Sequence, residues 1–94
     1  MFLYIVVPCY NEANRFPQEQ FEQFLFKHPT VGLILVDDGS SDNTLALLTG
    51  LSAAFPLQVE TLALLKNKGK ACAVQKGIQL ALKQSSCDRF AYLD

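Results

Sequence analysis

An α/β fold with a mostly parallel sheet and helices on both faces is what this 94-residue sequence predicts. Two observations carry that reading. Short uninterrupted apolar runs, the mark of strands buried on both faces, alternate with longer segments whose apolar residues recur at helical spacing. Polar, turn-prone segments separate them, and no linker, internal repeat or low-complexity stretch divides the chain. The resulting order is β-α-β-α-β-α-β, and right-handed crossovers then require parallel strands with helices on either side.

Taken in order, Phe2 to Val7 is β-branched and aromatic, a buried first strand that Pro8 should end because proline cannot donate to a ladder. The loop Cys9 to Asn14 follows. Pro17 suits a first helical position, and Phe21, Phe24 and Leu25 continue a helical pattern to His28, before Pro29. Gly32 to Val36 is the second strand. The next helix is expected from about Asp42, with Ser41 or Asp42 as its cap, to Phe55, and Leu45, Leu48, Leu51 and Phe55 form its apolar stripe. Leu57 to Leu65 is rich enough in Val, Thr and Leu to be a third strand. In the third helix, small Ala71, Ala73 and Gly77 would let the backbone pack close to the sheet. Phe90 to Leu93 is a fourth strand.

Composition narrows function. Eight basic residues against nine acidic ones, net charge −1, provide no basic field for nucleic acid and no polybasic membrane patch. Cys9, Cys72 and Cys87 have neither CxxC nor Cys/His metal spacing and read as free thiols of a reducing compartment. The longest apolar stretch, Met1 to Val7, is too short for a bilayer and lacks the features of a signal peptide, so a cytoplasmic location is expected. One histidine, His28, sits at a helix end beside Pro29 and supports no Ser/His/Asp or Cys/His arrangement.

The stretch Val36 to Thr44 concentrates the chemistry. It joins a strand end, the acid pair Asp37 and Asp38, a turn at Gly39 and a helix start. In open α/β sheets ligands bind beyond the carboxyl ends of the strands, where Tyr10 and Glu12 of the first loop should converge on Asp38. Asp94 ends the fourth strand as Asp37 ends the second. Carboxylates from three strand ends suit a cation or a ligand rich in N–H and O–H donors, such as a nucleoside. Asp38 could accept the imino N–H of uracil or guanine, Tyr10 could lie on the base, and Asp94 could reach ribose or a divalent metal on a diphosphate. Bland alternatives stand beside each role: Asp37 or Asp38 as a helix cap, Tyr10 as loop packing, Glu12 as a solvated charge, and Lys68 and Lys70 as a solvated loop rather than a phosphate contact.

Val7 to Glu12, Val36 to Thr44, Asn67 to Lys70 with Ala71 and Ala73, and Tyr92 to Asp94 resemble, in order and spacing, the start of family 2 glycosyltransferases. With Arg15, Phe16 and Pro17 the chain is most similar to the dolichyl-phosphate glucose and mannose synthases. That resemblance implies a Rossmann-like GT-A fold and a UDP- or GDP-sugar donor. It further implies Mg²⁺ or Mn²⁺ and inverting transfer to a polyprenyl or dolichyl phosphate or a saccharide. It implies that Pro8, Tyr10, Glu12, Val36 and Asp38 line the nucleotide pocket. Asp94 matches the first acid of the DxD motif that holds ribose and metal. The second acid, the catalytic base and the acceptor segment would all fall beyond Asp94, so residues 1–94 read as the nucleotide-sugar-binding half of a domain, inactive alone. In the family's strand order the far edge of the fourth strand is open, with Phe90, Tyr92 and Leu93 on it, and self-association through that edge is expected. A receiver-like or other non-catalytic nucleotide-binding α/β module is the alternative. A receiver's acid pair, however, follows its first strand, which here ends in Pro8-Cys9-Tyr10. Nucleotidyltransferases and dehydrogenases need a glycine-rich loop at that same place, and it is missing.

Overall fold

The computed structural model describes residues 3–83 and 89–92. Four strands, β1 (Leu3–Cys9), β2 (Val31–Asp38), β3 (Val59–Leu64) and β4 (Arg89–Tyr92), alternate with three helices, α1 (Gln18–Lys27), α2 (Thr44–Ala54) and α3 (Lys70–Leu82). All pairings are parallel and the sheet order is β3-β2-β1-β4, the order the family resemblance implies.

The period-two alternation of the central strands sorts the core into two layers. Val7, Cys9, Leu33 and Leu35 face α1 and α2, meeting Leu25, Leu48 and Leu51, with Phe16, Phe21 and Phe55 packed around them. Tyr4, Val6, Ile34 and Val36 face α3, meeting Ala73 and Ala81. Gly77 explains how close α3 lies: a Cβ there would stand 2.3 Å from Val6 Cγ1 and 3.1 Å from Val36 Cγ2. Ala73 is fully buried as expected, whereas Ala71 turns to solvent on the far side of the helix.

Several boundaries differ from the sequence expectation. β1 continues through Pro8 to Cys9; among the described residues its pairing with β4 ends at Val6, so Pro8 lies where the missing N–H is tolerated. β2 extends to include both acids, which pair with Ala63 and Leu64 of β3. β3 is shorter than expected, because Gln58 and Val59 turn back to donate to the Phe55 carbonyl and leave Leu57 exposed. Pro17 precedes α1 rather than starting it, and α2 begins at Thr44, two residues late. Leu45, expected in the apolar stripe, is 37% exposed, while Leu48 and Leu51 are fully buried. At the other end of α1, His28 donates its backbone N–H to Phe24, and Gln58 Nε2 reaches the carbonyls of Leu25, His28 and Val31. His28 is therefore a helix-end residue. The side chains of Phe90, Tyr92 and Leu93, on which the expected self-association rests, lie outside what the structure describes.

Candidate functional site

Parallel pairing brings the carboxyl ends of β1, β2 and β3 to one edge, and the loops leaving them enclose a cleft of about 240 Å³. Pro8, Cys9, Tyr10 and Glu12 supply one wall, Asp38 the floor, and Asn67, Gly69 and Lys70 the opposite wall. A larger groove between α1 and the sheet, about 350 Å³, is lined by Ile5, Val7, Phe21, Phe24 and Leu33, with Gln20 the single polar side chain there among the described residues. It lacks the convergent polar groups that orient a ligand, so the smaller cleft is the candidate site.

Asp38 is 3% exposed and does not cap α2. Its Oδ1 accepts the backbone N–H of Lys68 at 2.8 Å. Its Oδ2 accepts the N–H of Gly69 at 2.9 Å and Asn67 Nδ2 at 3.1 Å. A carboxylate offers about four acceptor positions, so among the described residues about one is left for anything entering the cleft. Asn67 Nδ2 also donates to the Asp38 carbonyl at 3.1 Å. The close approach depends on Gly39, which turns with φ +69° and whose Cβ, if present, would stand 2.4 Å from the Asn67 nitrogen. Asp37, equally buried, accepts the Ser40 N–H at 3.3 Å and braces that same turn.

The remainder of the acid-rich stretch secures the first loop. Asn11, in the left-handed region at φ 50°, donates its N–H to Ser40 Oγ at 2.9 Å and accepts the Ser41 N–H on Oδ1 at 2.9 Å. Glu12 N–H donates to Thr44 Oγ1 at 2.8 Å, and Ala13 N–H to Asp42 Oδ2 at 3.3 Å. Asp42 Oδ1 also accepts the Thr44 hydroxyl and its N–H, a turn that starts α2 without a side-chain bond from the N-cap Asn43. The Thr44 hydroxyl holds the Asp42 carboxyl below its ordinary value against the opposing effect of desolvation, with smaller help from the Thr44 and Ala13 amides. Neither Ser41 nor Asp42 is the expected cap: the N-cap is Asn43, and Asp42 instead closes the turn just before it.

Of the residues singled out from sequence, Pro8, Tyr10, Glu12 and Asp38 line one cleft. Tyr10 is 46% exposed, its ring presented at the mouth. Glu12 is not a free solvated charge: it holds Arg15 through two oxygens at 2.6 and 2.9 Å. Val36 is fully buried under α3 and does not line the cleft. Cys9 lies at the base of the wall, its thiol pushed up to about 12 by burial, then by Glu12 and Asp37. Lys68 meets Asp38 through its backbone rather than offering its ammonium to the cleft floor, while Lys70 lines the wall at the start of α3. α3 begins there with no side-chain cap and no acid in its first turn. Asn67, Asn11, Ser40 and Thr44 lie in stretches that the sequence reading named, but it gave none of them a role of its own; small polar residues concentrated after strand ends were the available signal.

Among the described residues no three of His, Cys, Asp and Glu gather to hold a metal ion. Asp94, the expected metal ligand, lies outside them. No described helix is long and apolar enough to cross a membrane.

The family model "Glycosyl transferase family 2" matches residues 4–94. The chain belongs to that family. It is 32% identical over 87 residues to a dolichyl-phosphate beta-glucosyltransferase of Dictyostelium discoideum, covering 83% of this chain and 27% of that protein. With the enzyme of the same name from Saccharomyces cerevisiae it shares 33% identity, covering 82% of this chain and 25% of that protein. A mannosyltransferase from Pyrobaculum calidifontis, solved with GDP-Man and Mn²⁺, superposes with a TM-score of 0.65 at 21% identity, over 83% of this chain and 24% of its own. The fold is therefore Rossmann-like GT-A. The chain spans about a quarter of the length of these proteins.

Proposed function

We propose that residues 1–94 form the nucleotide-sugar-binding half of a glycosyltransferase. Its donor is a UDP- or GDP-sugar, and its acceptor a dolichyl or other polyprenyl phosphate, or a saccharide, with inversion at the transferred carbon. The observation that carries this reading is the cleft at the carboxyl edge, where an exposed aromatic ring and a carboxylate with about one open acceptor position face each other. Tyr10 lies on the base, and Asp38 accepts an imino N–H. The uncapped start of α3, with Lys70, offers backbone N–H groups and positive dipole toward the diphosphate. Pro8 shapes the wall, and Glu12 contributes through the loop it fixes. Val36 acts from beneath, as support for the floor.

A divalent cation, Mg²⁺ or Mn²⁺, would neutralise charge on the leaving diphosphate. By the family resemblance, Asp94, which matches the first acid of the DxD motif, would hold that cation. Relatives named as dolichyl-phosphate beta-glucosyltransferases support a lipid-phosphate acceptor, which the full-length protein would meet at the cytoplasmic face of a membrane. The binding reading is tested by calorimetric titration of the protein with UDP, GDP and their hexose conjugates, with and without Mn²⁺. Saturable binding of one nucleotide, weakened in Tyr10→Ala, is expected. A folded protein that binds neither nucleotide at millimolar concentration would refute it.

A further inference from the structure

We infer that Asn67 is a positioning residue for the nucleotide cleft, acting with Asp38 as a clasp that sets where the β3–α3 loop stands. The inference deepens the proposed function and rests on that reading for the identity of the ligand. Three facts carry it. The loop wall consists of Asn67, Gly69 and Lys70, and two successive loop amides, Lys68 and Gly69, end on the Asp38 carboxylate. Asn67 is otherwise exposed and belongs to no core cluster, yet its amide nitrogen reaches both the carbonyl and the carboxylate of Asp38 at 3.1 Å. The missing Cβ at Gly39 lets the loop backbone come this close: a Cβ there would stand 2.4 Å from the backbone nitrogen of Asn67. Asp38 therefore has two tasks on one carboxylate: three donors from the loop fix its orientation, and the remaining position faces the ligand. Removing the Asn67 amide frees the carboxylate to rotate and the loop wall to move outward. In either event, the acceptor and the wall no longer hold one geometry.

Amide exchange by NMR and nucleotide titration separate this role from simple stability. In Asn67→Ala, exchange at Lys68 and Gly69 should accelerate by more than the accompanying fall in the urea midpoint accounts for. Affinity for the nucleotide that the unaltered protein prefers should fall on the order of tenfold or more, the equivalent of one lost hydrogen bond to a charged group. The near-isosteric Asn67→Asp, which sets a second carboxylate against Asp38, should lose more. Unchanged affinity in both variants would overturn the inference, as would unchanged exchange at Lys68 and Gly69. If the unaltered protein binds no nucleotide, the proposed function fails, and the exchange measurement still decides whether the clasp exists.

Discussion

Gly39→Ala probes the contact on which the cleft floor depends. The new Cβ would stand 2.4 Å from the Asn67 nitrogen and 2.5 Å from the Lys66 carbonyl carbon, and both are backbone atoms that no rotamer change can move. The residue would also have to hold φ +69°, where a Cβ costs about 1–2 kcal/mol. Crowding of a packed site adds about 1–3 kcal/mol. The sum, about 2–5 kcal/mol, compares with a total stability of about 5–14 kcal/mol for a chain of this length. Part of the strain can be relieved if the β3–α3 loop retreats, but the Lys68 and Gly69 amides then leave Asp38, so the relief has its own cost. Urea unfolding should therefore shift by about 1 M or more at the slope usual for small domains. Gly50→Ala is the control: nothing lies within 4 Å of that Cβ position, and the glycine sits inside α2. That substitution should stabilise by about 0.5–1 kcal/mol. A Gly39→Ala midpoint equal to that of the unaltered protein would refute the close-approach reasoning.

Other substitutions and conditions test the ties around the cleft. Thr44→Val removes the fully buried hydroxyl that accepts the Glu12 N–H, and leaves that donor unpaired; destabilisation of about 1–3 kcal/mol in urea unfolding is expected. The Asp42 carboxyl titrates below its unfolded value of 3.8, so its contribution to stability is present above that pH and lost as pH falls through the lower folded value. The stability difference between the unaltered protein and Asp42→Asn should accordingly shrink on acidification below about pH 4, followed by urea midpoints. Cys9, with its thiol raised to about 12, stays protonated in the native state through mildly alkaline pH. Iodoacetamide followed by peptide mass analysis should therefore modify the half-buried Cys72 well before Cys9.

The sheet was legible because its strands are apolar runs of β-branched residues, and the helix order follows from handedness once those strands are placed. Gly77 was legible for the same reason: a glycine on the inner face of a helix has few uses beyond close packing. The site was legible in part. Strand-end position marked Tyr10, Glu12 and Asp38 as neighbours, but no sequence rule says which donors a buried carboxylate will meet. Asp38 takes its partners from residues 67 to 69, about thirty positions away, through a turn geometry that depends on one glycine. Arg15 claims Glu12 at a spacing of three residues, a local pairing that a reading centred on the strand ends passed over. Val36 lies on the same face of β2 as Asp38 but two residues further in, fully buried in the α3 layer, so what separates the two is depth along the strand, which a motif position alone does not give.

Cross-loop hydrogen bonds do most of the fastening around this cleft: Asn11 to Ser40 and Ser41, Glu12 to Thr44, Asp38 to Lys68 and Gly69. Neighbouring walls are thus thermodynamically linked, and each stays in place only while the strands beneath keep their register. A ligand that bridges Tyr10 and Asp38 would then bind the assembled sheet and have no counterpart site on the unfolded chain. At a hundredfold excess over its dissociation constant it would raise the unfolding free energy by about 2.7 kcal/mol. For a small α/β unit of this size, that makes nucleotide concentration a control on how much of the protein is folded, and a denaturation curve a way to read its affinity.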